Sequence, residues 1–416
     1  MEKYVIGIDY GTNTARAIIV NTANGEEIGT GIAPYPHGEN GIVLNSADPN
    51  VARHHPFDYL HVTKLAVRQA LKTASGFSGF NINLIIGIGI DTTASTVLAL
   101  DINGVPLAFS DEYKEDIDTM AWLWKDHSSV AEAEEITQTL KKNSPKTLER
   151  IGGAYSSEWF WSKLLRFARV APKAYERTAT WIEIGDWFSG WLCGVSDPFK
   201  IARGICTAGH KGLYDSLGNG FPGEDVIKAI DPVLVKIGDS LQGKVLPIGE
   251  ALGRLAREPA EFLGLPKGIA VAVPEIDAHI GALGSGINNG RMVKILGTSG
   301  VDLVIAAMEN PLVTIPGVSG VVPHSIMPGY LTIEAGQSAL GDIYGWYVNR
   351  LAPQGGDHIS LTTGAEKLKP GESGLLGLDW YNGNRTILID QRLSGLVLGM
   401  NLQTKPEHIY RSLIEA

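Results

Sequence analysis

Asp9, Gly11, Thr12 and Asn13 lie in the run Asp9-Tyr10-Gly11-Thr12-Asn13-Thr14, between two apolar stretches. Glycine at such a turn lets the backbone approach a ligand closely. The Thr and Asn side chains, with the free N–H groups of the turn, make a cradle for phosphate oxygens. The Asp9 carboxylate could hold Mg²⁺, through water, because that cation sheds its hydration reluctantly. Taken alone, the run reads more readily as an ordinary hairpin turn with a solvated aspartate. Gly297, Thr298 and Ser299 change that balance, because Gly297-Thr298-Ser299-Gly300 puts a second cradle at the matching point of a second half. Two other constellations carry no chemistry. His54, His55, Asp91 and His127 follow no standard metal-ligand spacing, and Cys206 lacks any nucleophile signature.

The elements that must position these turns are legible around them. Tyr4 to Ile8, Ala15 to Val20 and the stretch from Ile28 read as a three-stranded antiparallel meander. The Phe57–Lys72 stretch has helical spacing, and the apolar run Leu84–Ile90 has the look of a buried strand. A strand from Thr96 to Leu100, an Asn103-Gly104 turn and Val105–Phe109 form an expected hairpin. Met120 to Trp191 reads as mostly helical and tryptophan-rich. After Gly268 the pattern returns: an apolar strand over Ile269–Val273, a helix from about Asp277 to Gly286, then strand–turn–strand around Gly297. Two similar halves suggest a duplicated α/β domain with a cleft between the copies, joined near Gly264–Gly268. Gly355–Ser373 is expected as a flexible loop, and Pro406–Ala416 as a helix.

Composition narrows the class. The 416 residues are 44% hydrophobic and 19% charged, which builds a large core and excludes disorder throughout. Thirty-five basic against 45 acidic residues give −10, so a nucleic-acid-coating surface is not expected. Two cysteines exclude a disulfide framework and fit a reducing cytoplasm. No apolar run is long enough to span a membrane.

The opening Gly7-Ile8-Asp9-Tyr10-Gly11-Thr12, with Gly297-Thr298-Ser299, resembles the actin-like sugar kinases. Gly395-Leu396-Val397-Leu398-Gly399-Met400, with His408-Ile409 and Ser412-Leu413-Ile414-Glu415 after it, is similar to the signature of the FGGY carbohydrate kinases. Within that family the likeness is greatest to the branch acting on L-ribulose. It is carried by Arg53-His54-His55-Pro56, Trp124-Lys125-Asp126-His127, Tyr155-Ser156-Ser157-Glu158-Trp159-Phe160-Trp161, Ala208-Gly209-His210-Lys211, Glu334-Ala335-Gly336-Gln337-Ser338, Gly341-Asp342-Ile343-Tyr344 and Asp379-Trp380-Tyr381-Asn382-Gly383.

The resemblance implies an α/β fold of two actin-like (ribonuclease H-like) ATPase domains flanking a cleft. Residues 1–265 would form the N-terminal domain, binding sugar and phosphate. Residues 266–416 would form the C-terminal domain, with the catalytic base and the second phosphate hairpin. Chains of the family continue past the helix ending at Ala416 and carry a Gly-Gly segment for adenosine, so the second domain is expected to be incomplete. Implied too is ATP-dependent phosphorylation of a ketopentose, L-ribulose to L-ribulose 5-phosphate in L-arabinose catabolism, with ATP and Mg²⁺ as cofactors. The alternatives are a kinase for xylulose, glycerol or another polyol, and a sugar-binding fragment without turnover. The expected partners are the sugar and ATP in the cytoplasm, with neither nucleic acid nor membrane, and a homodimer allowed.

Site residues follow position by position. Asp277, where a buried strand meets a glycine-bearing helix, corresponds to the family's base; an aspartate there also suits a helix N-cap. Ala94 leaves room for the sugar, Lys211 donates to its hydroxyls and Glu334 accepts from them, although a lone Lys or Glu is most often a surface charge. Trp124 would stack on the sugar or belong to the core. Trp159, Phe160 and Trp161 read as helix packing. Pro274-Glu275, ahead of the base, departs from the small residues usual there.

Overall fold

The computed structural model describes residues 2–218, 220–241, 243–309 and 314–416. Period-two alternation sends Tyr4, Ile6, Ile8 and Tyr10 into one core, and Ala15, Ala17 and Ile19 join them from the next strand. Strands Tyr4–Tyr10, Thr14–Asn21 and Glu27–Pro34 form the expected antiparallel meander. Strand Ile85–Thr92 lies parallel to the first, with Asp9 beside Asp91. Its burial alternates, Ile88 and Ile90 inside and Ile86 exposed, so it is covered less completely than its apolar run suggests.

Helix Pro56–Ala74 lies against the meander at the closest possible range. A Cβ on Gly31 would stand 2.1 Å from Ala66 O, and one on Gly29 would stand 2.4 Å from Ala70 O. Small residues on both surfaces are what let backbone meet backbone here.

The expected junction at 265/266 precedes two further strands of the first sheet. Strand Ala270–Ala272 pairs in parallel with Gly87 and Ile88, and Glu275–Ile276 pairs with Asp91 and Thr92. The first sheet therefore keeps the chain until the residue before Asp277. Strand Ala251–Arg254 closes its far edge. Two local readings also change. Val105–Phe109 does not return as a strand: Asp101 Oδ1 accepts the N–H groups of Asn103 and Val105, and Leu107–Phe109 is a 3-10 turn. Strand Val97–Leu100 pairs instead with Thr180–Glu183. Within Gly355–Ser373 there is a helix, His358–Ala365, because Asp357 accepts from Ser360 N–H and Leu361 and Ala365 pack against Tyr410 and Leu413 of helix Pro406–Glu415.

The second body is a four-stranded antiparallel sheet, ordered Met292–Leu296, Gly300–Ala307, Tyr330–Gln337 and Val321–Pro323. Helix Asp277–Gly284 leaves the first sheet and lays Ala278 and Ala282 on Val293, Leu303 and Ile305 of the second. A third core holds Trp122, Trp159, Phe160, Trp161 and Trp181, so the aromatic run is packing as read. Among the described residues no helix is long and apolar enough to cross a membrane.

Candidate active site

Both Gly-Thr turns are closed by a backbone bond from their glycine. Gly11 N–H donates to Thr14 O at 3.1 Å, and Gly297 N–H donates to Ser299 O at 3.0 Å. They face one another across a cavity of about 710 Å³, which is also lined by Asp9, Thr12, Asn13, Ala94, Trp124, Lys211, Asp277, Thr298, Ser299 and Glu334. Every residue given a catalytic, sugar, phosphate or metal role in the sequence thus lines a single cleft.

Asp277 is the first residue of its helix rather than its cap, the cap being Ile276. Its Oδ1 accepts the N–H of Ala278 at 2.7 Å. Burial pushes its carboxyl up to about 7; the Ala278 bond opposes this, and the charges of Asp9 and Glu334 add to it. A carboxyl poised near neutrality is suited to taking a proton. Asp91 is held well above the carboxylate range, first by burial and then by Asp9 and Asp277. Asp9 itself pairs with Arg16 Nη1 at 3.0 Å.

Lys211 and Glu334 are not surface charges. Both are buried, and Lys211 Nζ donates to Glu334 Oε1 at 2.7 Å. The other carboxylate oxygen lies 3.1 Å from His279 Nε2, whose Nδ1 lies 2.8 Å from Cys206 Sγ. Burial alone would raise Glu334, but Lys211, His279 and His210 outweigh it and hold the carboxyl well below its usual range. Cys206 is fully buried and its thiol is pushed well up, which leaves it a thiol at neutral pH.

Trp124 is half-buried and faces the cavity, its Nε1 donating to Thr12 Oγ1 at 3.0 Å. It ties the Ala94 and Lys211 side of the cleft to the first Gly-Thr turn. Lys163, unassigned in the sequence, holds this wall in place: its buried Nζ donates to Ser95 O at 2.7 Å and Leu123 O at 2.8 Å. Those carbonyls adjoin Ala94 and Trp124. Glu158 and Arg385 also line the cavity. Their strings gave the only signal available, Glu158 inside Ser156-Ser157-Glu158 and Arg385 two residues beyond Gly383.

Two family models match the chain in succession: the N-terminal domain of the FGGY family of carbohydrate kinases over residues 4–284, and its C-terminal domain over 292–416. The chain belongs to the FGGY family of carbohydrate kinases, and with that membership it is a sugar kinase that transfers phosphate from ATP to an alcohol group. Its curated relatives include ribulokinases. It is 39% identical to that of Halalkalibacterium halodurans over 100% of this chain and 74% of the relative, and 40% identical to that of Shouchella clausii over 100% and 75%. The chain spans about three quarters of the length of these relatives. Among solved structures, the xylulose kinase of Rhodospirillum rubrum superposes with a TM-score of 0.78 at 23% identity, covering 99% of this chain and 76% of that one. That likeness speaks for the two-domain fold.

Proposed function

We propose that this cleft phosphorylates a ketopentose, L-ribulose at its C5 hydroxyl, with Asp277 as the base. The observation that carries the proposal is the junction itself: a half-buried carboxyl pushed up to about 7 stands between two phosphate turns and beside the Lys211–Glu334 pair. The names of the relatives, ribulokinases at 35–40% identity, favour L-ribulose over xylulose or glycerol. Asp277 accepts the hydroxyl proton as the C5 oxygen bonds to the γ-phosphorus and the bridging P–O bond breaks, releasing ADP. Lys211 and Glu334 donate to and accept from the remaining hydroxyls, Ala94 leaves the space for them, and Trp124 offers its ring. Gly11, Thr12 and Asn13 on one side and Gly297, Thr298 and Ser299 on the other hold the triphosphate.

The charges of Asp9 and Asp277 raise the Asp91 carboxyl and that of Asp9 raises Asp277, a repulsion that a hard divalent cation would relieve; Asp9 would be the group that holds Mg²⁺, through water. When bound, it would neutralise charge on the triphosphate oxygens. A cytoplasmic location and a homodimer belong to the same reading; light scattering on the purified chain tests the dimer.

The function is tested by ADP release across L-ribulose, its C3 and C4 epimers (L- and D-xylulose), D-ribulose and glycerol, beside calorimetry with each sugar. Turnover highest with L-ribulose is the expected result. Sugar binding with no turnover, or turnover only with glycerol, overturns the reading.

A further inference from the structure

Arg385 enters the cavity from the C-terminal family region and meets Glu158 from the N-terminal one, Nη2 donating to Oε1 at 3.0 Å. Both side chains are nearly closed to solvent, 11% and 7% exposed. Burial pushes the Glu158 carboxyl up, but Arg385, His127 and Lys211 outweigh it, so Glu158 is an anion. The guanidinium has a donor to spare: Nη2 is engaged by Glu158, Nε is shielded from solvent without a partner, and Nη1 has no protein acceptor among the described residues. Its carbon lies 5.7 Å from the centre of the Trp124 ring.

The placement is built rather than incidental. Thr386 Oγ1 accepts Gly336 N–H at 2.8 Å, which registers Arg385 on the strand that carries Glu334. Asn384 Oδ1 accepts the N–H groups of Ile387 and Leu388 and fixes the turn on the other side. A buried ion pair is costly to maintain and adds little stability over apolar residues of the same size. One that faces a sugar-sized cavity, with a forked donor beside an acceptor, matches the donor–acceptor pattern of neighbouring hydroxyl groups.

We propose that Arg385 and Glu158 form a specificity-determining pair that hydrogen-bonds the hydroxyls of the ketopentose that are not phosphorylated, drawing the two regions together over the sugar. This rests on the ketopentose reading of the cleft. Because the pair reads a stereochemical pattern, its loss must alter discrimination between epimers and not only affinity.

The test is calorimetry of the full chain with L-ribulose and with its C3 and C4 epimers, for the unaltered protein, Arg385→Gln, Arg385→Lys and Glu158→Gln, with sugar-free melting curves beside it. Arg385→Gln is expected to weaken L-ribulose binding by about 10-fold or more, as loss of a charge-assisted bond should. The preference for L-ribulose over its epimers is expected to collapse in the same variant. Arg385→Lys keeps the charge but not the fork, and should retain the fold while losing the discrimination. If Arg385→Gln does not fold, Arg385→Lys and Glu158→Gln carry the same comparison. Unchanged epimer preference in the folded variants overturns the pair while leaving the ketopentose reading intact. Failure of the unaltered chain to bind any ketopentose, while binding another sugar or polyol, overturns both.

Discussion

Lys211 Nζ and Glu334 Oε1 stand 2.7 Å apart although one belongs to the N-terminal family region and the other to the C-terminal one. The pair is therefore a contact across the cleft as well as a candidate sugar ligand. Its neighbours reinforce that double role. His210, next to Lys211, reaches Ser325 Oγ at 3.1 Å, and a Cβ on Gly209 would stand 2.4 Å from Val322 Cγ1.

Lys211→Met should leave Glu334 buried with its strongest partner gone. Removing one member of a buried pair costs about 3–5 kcal/mol. Differential scanning calorimetry is expected to show a lower Tm, and addition of L-ribulose, which should raise the Tm of the unaltered chain, should no longer do so. A variant with unchanged Tm and an unchanged sugar response would remove Lys211 from both roles.

Asp277→Asn keeps the shape and removes the proton acceptor, so phosphoryl transfer should fall by about 10²-fold or more while L-ribulose affinity changes far less. The raised carboxyl also makes a stability statement. A folded-state value of about 7, above the unfolded one, means the group favours folding at low pH and loses that contribution as pH rises through about 7. In the absence of ligands, Asp277→Asn should therefore gain Tm over the unaltered chain at pH 8 and gain little at pH 4. In the unaltered enzyme kcat/KM should climb as pH rises through this range. A flat profile, or near-normal turnover in the variant, would unseat Asp277 as the base.

The opening meander, the helix over residues 56–74 and both Gly-Thr turns were legible because each follows from local chemistry: period-two alternation, 3.6-residue spacing, and Gly-Thr at a turn. What stayed hidden depends on contacts between distant residues. Ala270–Ala272 looks like the start of a new half, yet its hydrogen bonds go back to Gly87 and Ile88. Nothing local in the sequence distinguishes the two destinations. Lys163 sits in an aromatic helix with no motif to mark it, while its ammonium is buried against Ser95 O and Leu123 O. Asp357 shows the reverse case, since a helix-starting signal before His358 was available and the glycines around it obscured it.

Ala94 is half-buried and faces the cavity, between Thr93 and Ser95, both buried. Ala94→Leu should project into the space proposed for the sugar and raise the L-ribulose KM while leaving the Tm close to that of the unaltered chain. Overpacking a core position would instead cost about 1–3 kcal/mol and lower the Tm. Early melting with normal sugar affinity would place Ala94 in the core and the pocket elsewhere.

Glu275 is the residue that departs from the small side chains usual before the base, and its surroundings give it no reward. It is 3% exposed, and neither carboxyl oxygen has a hydrogen-bond partner. Burial pushes its carboxyl well above the ordinary range, against the opposing contact of the Cys206 thiol and with the charge of Asp186 adding to the rise, so it is held neutral. Replacing an unsatisfied buried polar group by an apolar one of similar length removes a desolvation cost of about 1–3 kcal/mol. Glu275→Met is therefore expected to match or exceed the unaltered chain in stability. The sign of the pH effect is fixed as well. Below the unfolded value both states bind the proton and the gain is smallest; above it the unfolded chain ionises while the folded one resists, so the gain should grow from pH 4 to pH 8. The geometry of Asp277, set by its own helix and by Ala278 N–H, should survive, and turnover with it. Melting curves across that pH range, paired with ADP release at neutral pH, read both expectations. A Tm loss at pH 8 would mean that Glu275 has a partner the apolar side chain cannot replace. Loss of turnover with a preserved Tm would make it a positioning residue for the base.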